Sequence, residues 1–348
     1  MKYTTLGDTK LKVSKICLGT MTYGEQNTIE EAHEQMDYAL EQGVNFFDTA
    51  ELYAIPPKKE TQGKTEEFIG KWFQSRKNRD KIVLASKIAG PAEWVSHIRN
   101  GSGLDKTNIT QAVESSLSRL QTDYIDLYQL HWPARNTNFF GVRGIQNLKD
   151  QETQIEDSIH ETLSALKDLI NAGKIKAIGL SNETPFGVMK FLELAKYHNL
   201  PRVQTIQNPY SLLNRSYEVG LAEISLRENC LLLPYSPLGF GVLSGKYLNG
   251  QNPKDARLTL YKGYERYRGP NGILATQEYV DLAKFHNISP SQMALSYVNT
   301  RSFVCSNIIG ATKLEQLKEN IASINVDLSD EVLEAIEAIQ DKYPNPAP

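Results

Sequence analysis

Residues 81–131 read KIVLASKIAGPAEWVSHIRNGSGLDKTNITQAVESSLSRLQTDYIDLYQLH. The stretch opens and closes with β-rich apolar runs, KIVLASK and YIDLYQLH. Between them Ile109, Ala112, Val113, Ser116, Leu117 and Leu120 fall on one face of a helix, with Glu114, Ser115 and Arg119 mostly off it. The unit is strand, helix, strand. Working outward, further strand runs are ICLGT from Ile16, VNFFDTA from Val44, KAIGLSN from Lys176, RVQTIQN from Arg202, CLLLPYS from Cys230 and SNIIGA from Ser306. Helix-period segments separate them at about 28–42, 64–78, 156–172, 185–198, 215–229 and 313–323. Gly43 and Gly173 follow helical runs, where the residue after the last turn adopts positive φ.

Eight parallel strands with crossover helices satisfy the burial rules if the sheet closes on itself, so the expected fold is α/β, a (β/α)8 TIM barrel forming one domain over 1–348. A doubly wound dinucleotide fold needs G-x-G-x-x-G at its first βα turn, and here that turn reads Gly19-Thr20-Met21-Thr22-Tyr23-Gly24. YTTL and KVSKI flank Gly7-Asp8-Thr9 and predict a hairpin that plugs the barrel's N-terminal mouth. The connections after the third, fourth and seventh strands run to roughly 18, 23 and 40 residues, the length of functional loops. Segment 236–275, rich in Gly, Tyr, Arg and Lys, is the expected lid. Additional helical stretches are read at 276–286, 290–299 and about 329–342.

The 348 residues carry 38 Lys plus Arg against 41 Asp plus Glu, a net charge of −3 that gives neither nucleic acid nor an anionic membrane an electrostatic footprint. The basic, aromatic run YKGYERYRG at 261–269 is too short to change that. Cys17, Cys230 and Cys305 lie far apart without metal-ligand spacing, and no apolar h-region or 18-residue apolar run occurs. A cytoplasmic protein acting on a small molecule is expected, with no nucleic-acid or membrane partner. Its oligomeric state is not read from the sequence. His33, His97, His160, His198 and His286 sit in helical or loop stretches without H-x-H or HExxH, and no metal is predicted.

In a barrel the chemistry sits at the strand C-termini. Asp48 ends VNFFD, Tyr53 follows five residues on, Lys87 ends IVLASK and His131 ends YIDLYQLH, so the four converge on one rim. Together they suit polarising a carbonyl: Tyr53 gives a proton, Lys87 makes the phenol more acidic, Asp48 holds Lys87 charged, and His131 orients the oxygen. Something must still attack the carbon, and no Ser elbow or activated Cys is present. A bound hydride donor would complete the reaction. Ser181, Asn182 and Gln207 can pair with a carboxamide, Tyr235 can stack on a ring within Tyr235-Ser236-Pro237-Leu238, and Gly310-Ala311-Thr312 opens a helix whose amides can hold a phosphate. Lys87 alone would equally serve as the Schiff-base lysine of a barrel aldolase.

Asp48-Thr49-Ala50-Glu51-Leu52-Tyr53, Lys87, QLHW at 129–132, GLSN at 179–182, Gln207, PYSPLG at 234–239 and GATKLEQLKEN at 310–320 resemble, in order along the chain, the aldo-keto reductases. GTMTYGEQN at 19–27, ETQGKTE at 60–66, SNETPFGVMK at 181–190, TIQNPYSLLNRS at 205–216 and GKYLNG at 245–250 resemble its bacterial Tas-type branch. The resemblance implies NADPH-dependent reduction of aldehydes or ketones, with Tyr53 as general acid and Ser181, Asn182, Gln207 and Tyr235 at the nicotinamide. Ser236, Pro237, Leu238, Gly239 and Lys246 would follow along ribose and pyrophosphate. Arg257, Gly310, Thr312, Gln316, Glu319 and Asn320 would hold the adenosine end, and Gly19, Thr20 and Met21 complete the cofactor set. Tyr23, Trp94 and Trp132 are expected at the substrate. Gly310 and Gln316 stand where many members of the family place Lys and Arg beside the 2′-phosphate, which leaves Arg257, Lys313 and Lys318 as its partners. The resemblance extends to the potassium-channel β subunits, so an NADPH-sensing binding module is the alternative function.

Overall fold

A computed structural model describes residues 1–142, 144 and 151–348. Strands β1 (Tyr3–Thr5) and β2 (Lys12–Ser14) form an antiparallel hairpin. An eight-stranded parallel sheet then runs through β3 (Ile16–Gly19), β4 (Phe46–Asp48), β5 (Val83–Ile88), β6 (Ile125–Leu130), β7 (Ile175–Ser181), β8 (Val203–Gln207), β9 (Leu231–Leu232) and β10 (Asn307–Ile309), with β10 hydrogen-bonded back to β3. β9 and β10 meet through Cys305 N to Leu232 O at 2.8 Å and Ile308 N to Pro234 O at 3.1 Å, which closes the ring. The chain is a (β/α)8 barrel.

Crossover helices α1 (Ile29–Glu41), α2 (Lys64–Arg76), α3 (Lys106–Leu120), α4 (Glu152–Asn171), α5 (Pro185–Tyr197) and α6 (Leu221–Arg227) follow β3 to β8 in turn. α7 (Arg257–Leu260), α8 (Pro270–Phe285) and α9 (Pro290–Thr300) lie between β9 and β10, and α10 (Leu314–Ala322) and α11 (Asp330–Lys342) complete the coat. Local chemistry sets the boundaries. Thr28 and Glu31 form a capping box on α1, and Asp105 accepts from the Asn108 amide to start α3 at Lys106, three residues before Ile109 opens its apolar stripe. Pro270 at the first position starts α8 well ahead of 276, and Gly43 and Gly173 leave α1 and α4 with φ of 81° and 73°.

Alternation along the strands divides inside from outside. Phe47, Leu84, Tyr128 and Ile178 pack under the helices, while Phe46, Ala85, Leu127 and Ala177 point into the barrel with Cys17, Leu233 and Cys305. Leu6 and Val13 of the hairpin region are fully buried in that interior cluster, so the hairpin stoppers the N-terminal end. One pleat above the apolar layer come Asp48, Lys87 and Gln129, and with them the inside turns polar. The connection of roughly 23 residues expected after the fourth strand falls partly, at 143 and 145–150, outside the described residues.

Candidate active site

The C-terminal face opens into a cavity of about 820 Å³. β4 and β6 bring Asp48 and His131 to its floor, β5 places Lys87 beneath it, and the turn after β4 folds Tyr53 back over Lys87. Lys87 is fully buried, and its ammonium donates to Asp48 Oδ2 at 2.6 Å, the Thr49 carbonyl at 2.9 Å and the Tyr53 hydroxyl oxygen at 3.3 Å. Burial alone would lower the Lys87 pKa; Asp48 and then Tyr53 outweigh it and raise the value, so the lysine is a fixed cation. Asp48 Oδ1 accepts from Gln207 Nε2 at 2.8 Å and Gln129 Nε2 at 3.2 Å.

An ammonium has three hydrogens, and here all three are engaged. Because one of them occupies a lone pair of the Tyr53 oxygen, the phenol's own hydrogen is directed elsewhere, and the cavity is what Tyr53 lines. The expectation of an acidified phenol is corrected: burial raises the Tyr53 pKa, Lys87 lowers it by less, and Asp48 raises it again, so the net shift is upward. Tyr53 therefore keeps its proton at neutral pH. The His131 ring meets Tyr53 edge-on with centroids 5.7 Å apart. Burial, then Lys87, holds His131 far below the usual histidine range, and its buried Nδ1 has no partner among the described residues. It is neutral and able to orient an oxygen.

Of the remaining expected residues, Gly19, Thr20, Met21, Trp94, Ser181, Asn182, Gln207, Tyr235, Ser236, Pro237, Leu238, Lys246, Arg257, Gly310, Thr312, Gln316, Glu319 and Asn320 all line the cavity. Several are already committed to one another. Tyr235 donates to Asn182 Oδ1 at 2.7 Å, Asn182 Nδ2 to the His131 carbonyl at 2.9 Å, and Ser181 Oγ to the Gln207 carbonyl at 2.8 Å. The Gln207 amide nitrogen is taken by Asp48 and by Gln129 Oε1. Thr312 donates from its backbone and hydroxyl to Gln316 Oε1, which fixes the entry to α10.

Four of these expected residues do not reach the cavity; one, Lys318, lies over the Tyr38 ring at 5.6 Å instead of beside Arg257 and Lys313. Tyr23 is fully buried in the outer core, with its hydroxyl on Gln35 at 3.1 Å. Trp132 is also fully buried, because the residue after an inward-facing His131 points the other way; it backs Trp94 in an offset stack with centroids 4.9 Å apart and borders a second cavity of about 120 Å³. Gly239 supplies a left-handed turn at φ 54° packed on Tyr267 and Leu213. Other residues were missed by the sequence reading. Gln129 lies two before His131 and so faces inward by simple alternation. Phe140, 44 % exposed, lines the cavity edge-on to Trp94 and Trp132, a placement no local pattern announces.

The far end of the cavity is cationic. Burial lowers the Lys246 pKa, and Arg257 and Lys313 lower it further by repulsion. Arg257 spans the cavity to Met21 Sδ at 3.3 Å and lies over the Phe240 ring at 4.8 Å. Among the described residues, no ion pair is made by Lys246, Arg257 or Lys313. Like charges gathered this way are costly unless an anion neutralises them.

A closed parallel barrel with its ionisable groups gathered at the strand C-termini is the architecture of (β/α)8 enzymes. The aldo/keto reductase family pattern matches residues 15–341, and the chain belongs to that family of oxidoreductases. It is 51% identical over 349 residues to Protein tas of Escherichia coli (strain K12), covering 100% of each chain. It is 33% identical over 350 residues to the uncharacterized oxidoreductase YrpG of Bacillus subtilis (strain 168), covering 99% and 97%, and 30% identical over 342 residues to the norsolorinic acid reductase stcV of Emericella nidulans, covering 94% and 78%. Among the described residues, no helix is long and apolar enough to cross a membrane.

Proposed function

We propose that this chain, acting as one domain in the cytoplasm, reduces aldehydes or ketones to alcohols with NADPH, Tyr53 serving as the general acid. The observation that carries the reading is the buried Asp48–Lys87–Tyr53 chain, in which a fixed ammonium holds the phenol oxygen from behind. As a carbonyl oxygen gains negative charge, the Tyr53 hydrogen moves to it and Lys87 stabilises the phenolate left behind. A unit charge at ~4 Å in an effective dielectric near 20 is worth ~4 kcal/mol. Neutral His131 orients the same oxygen.

The residues present fit a nicotinamide dinucleotide phosphate. Lys246, Arg257 and Lys313 supply uncompensated positive charge for phosphates, the α10 N-terminus adds backbone amides, and Ser181, Asn182, Gln207 and Tyr235 form a polar and aromatic seat for the ring. When bound, that cofactor supplies the hydride that no side chain of this chain can give. Trp94 and Phe140 present apolar faces at the cavity mouth and favour substrates with a flat apolar body.

Tyr53→Phe tests the reading. We expect turnover with an aryl aldehyde to fall by about 10²-fold or more, with NADPH binding, followed by fluorescence, within twofold of the parent chain. Undiminished turnover in Tyr53→Phe overturns the assignment.

A further inference from the structure

Outside this set, a buried ion pair ties the loop of Tyr53 to the loop of Trp94. Glu51 precedes Tyr53 by two residues, and its side chain turns away from the cavity. Its carboxylate accepts from the Ala89 amide at 2.7 Å, Arg99 Nη1 at 2.5 Å and Arg99 Nη2 at 2.7 Å. Its backbone is held as well: the Glu51 amide donates to the Lys87 carbonyl at 3.2 Å, and Gln62 Nε2 donates to the Glu51 carbonyl at 2.8 Å. Glu51 is thus fastened to the end of β5 at two points, one of them Lys87 itself.

Arg99 continues the chain of contacts. Its guanidinium donates to Ser102 Oγ at 2.9 Å, and Ser102 Oγ donates to the Ala89 carbonyl at 2.5 Å, so Glu51, Arg99, Ser102 and Ala89 close a ring. Residues 99–102 all hold positive φ, at 44°, 56°, 109° and 64°. Three of the four are not glycine, and such a turn persists only where its surroundings over-determine it. Gly101 then accepts from the Ala92 amide at 3.2 Å, which closes the short loop that carries Trp94.

Stability does not account for the pair. Glu51 and Arg99 are 1% and 14% exposed, and a buried ion pair is on average no better for folding than apolar packing of the same volume. What the pair does provide is direction. Arg99 Nε also donates to Asn108 Oδ1 at 3.2 Å, so the guanidinium bridges the segment of Tyr53, the segment of Trp94 and the first turn of α3.

We infer that Glu51 is a positioning residue which, through Arg99, registers the proton donor against the aromatic substrate wall. The inference rests on the reading of Tyr53 as the acid.

The test compares Glu51→Gln, Arg99→Lys and Tyr53→Phe in the full chain, with NADPH and either an aryl or a short aliphatic aldehyde. Glu51→Gln is expected to lower kcat by about tenfold or more, the order of loss from a sub-ångström misplacement. It should also raise the solvent deuterium isotope effect, because proton donation slows, and raise KM for the aryl aldehyde more than for the aliphatic one. An unfolded fraction would change neither the isotope effect nor the ratio of the two KM values. Arg99→Lys keeps the cation and should show the same ratio change more weakly, which serves if Glu51→Gln does not fold. Parent values of isotope effect and KM ratio in the folded variants overturn the inference. Full turnover in Tyr53→Phe overturns the reading beneath it, whatever Glu51 does.

Discussion

Lys87 spends one hydrogen on the Tyr53 oxygen, and the position of the phenol follows from that choice. The other two, on Asp48 and Thr49, keep the ammonium from swinging away. His131 completes the site as a neutral ring, and its neutrality has a thermodynamic sign. Its folded-state pKa lies well below 6.5, the unfolded value, so at acidic pH the unfolded chain binds a proton the folded chain refuses. The stability is fully present above about pH 6.5 and is lost as pH falls below it, with a slope of up to ~1.4 kcal/mol per pH unit. Urea denaturation between pH 5 and 7.5 should show this slope in the parent chain and a shallower one in His131→Asn; equal slopes would remove the assignment. At this scale the sequence was legible in one respect and not another. Period-2 alternation put Asp48, Lys87 and His131 on one rim, whereas the upward shift of Tyr53 depends on how deeply the folded barrel buries it, which no strand pattern contains.

The long connection 236–275 and α10 act as a pair of elements, one bringing Lys246 and Arg257 and the other Lys313 to the same end of the cavity. Because these cations repel one another, removing one relieves the ligand-free protein while weakening its hold on an anion. Lys246→Met is expected to leave the ligand-free thermal midpoint unchanged or raised, and to weaken NADPH binding by about tenfold at low salt, with a smaller dependence on ionic strength. A lowered midpoint with parent affinity would contradict the charge argument. That 236–275 forms one long connection over the cavity was legible from its length and composition. Trp132 was misplaced because neighbouring residues at a strand end face opposite sides, and Tyr23 because, four residues past β3, the chain turns its ring into the outer core onto Gln35. Helices were legible in place, while their starts at Lys106 and Pro270 followed caps rather than apolar spacing.

Across the whole molecule the two ends of the barrel divide the labour. The N-terminal end is closed by the hairpin, with Leu6 and Val13 fully buried against Cys17, Phe46 and Leu127, and the C-terminal end carries every ionisable group of the proposed reaction. Leu6→Ala should therefore cost about 2–5 kcal/mol in urea denaturation and leave kcat and KM at 25 °C within twofold; an equal loss in both would mean the ends are coupled. The barrel itself was the most legible feature, since eight strand runs and their intervening stripes are each local patterns, whereas its closure through Cys305 and Pro234 is not. One arrangement has an optical consequence. The chain has three tryptophans; Trp72 is buried and bonded to Asp37, and the other two form the offset stack at the mouth. Indoles in van der Waals contact couple their excited states, and only Trp94 of the pair meets solvent, so the near-ultraviolet dichroism and emission of the unlabelled protein report directly on whatever slides against that wall.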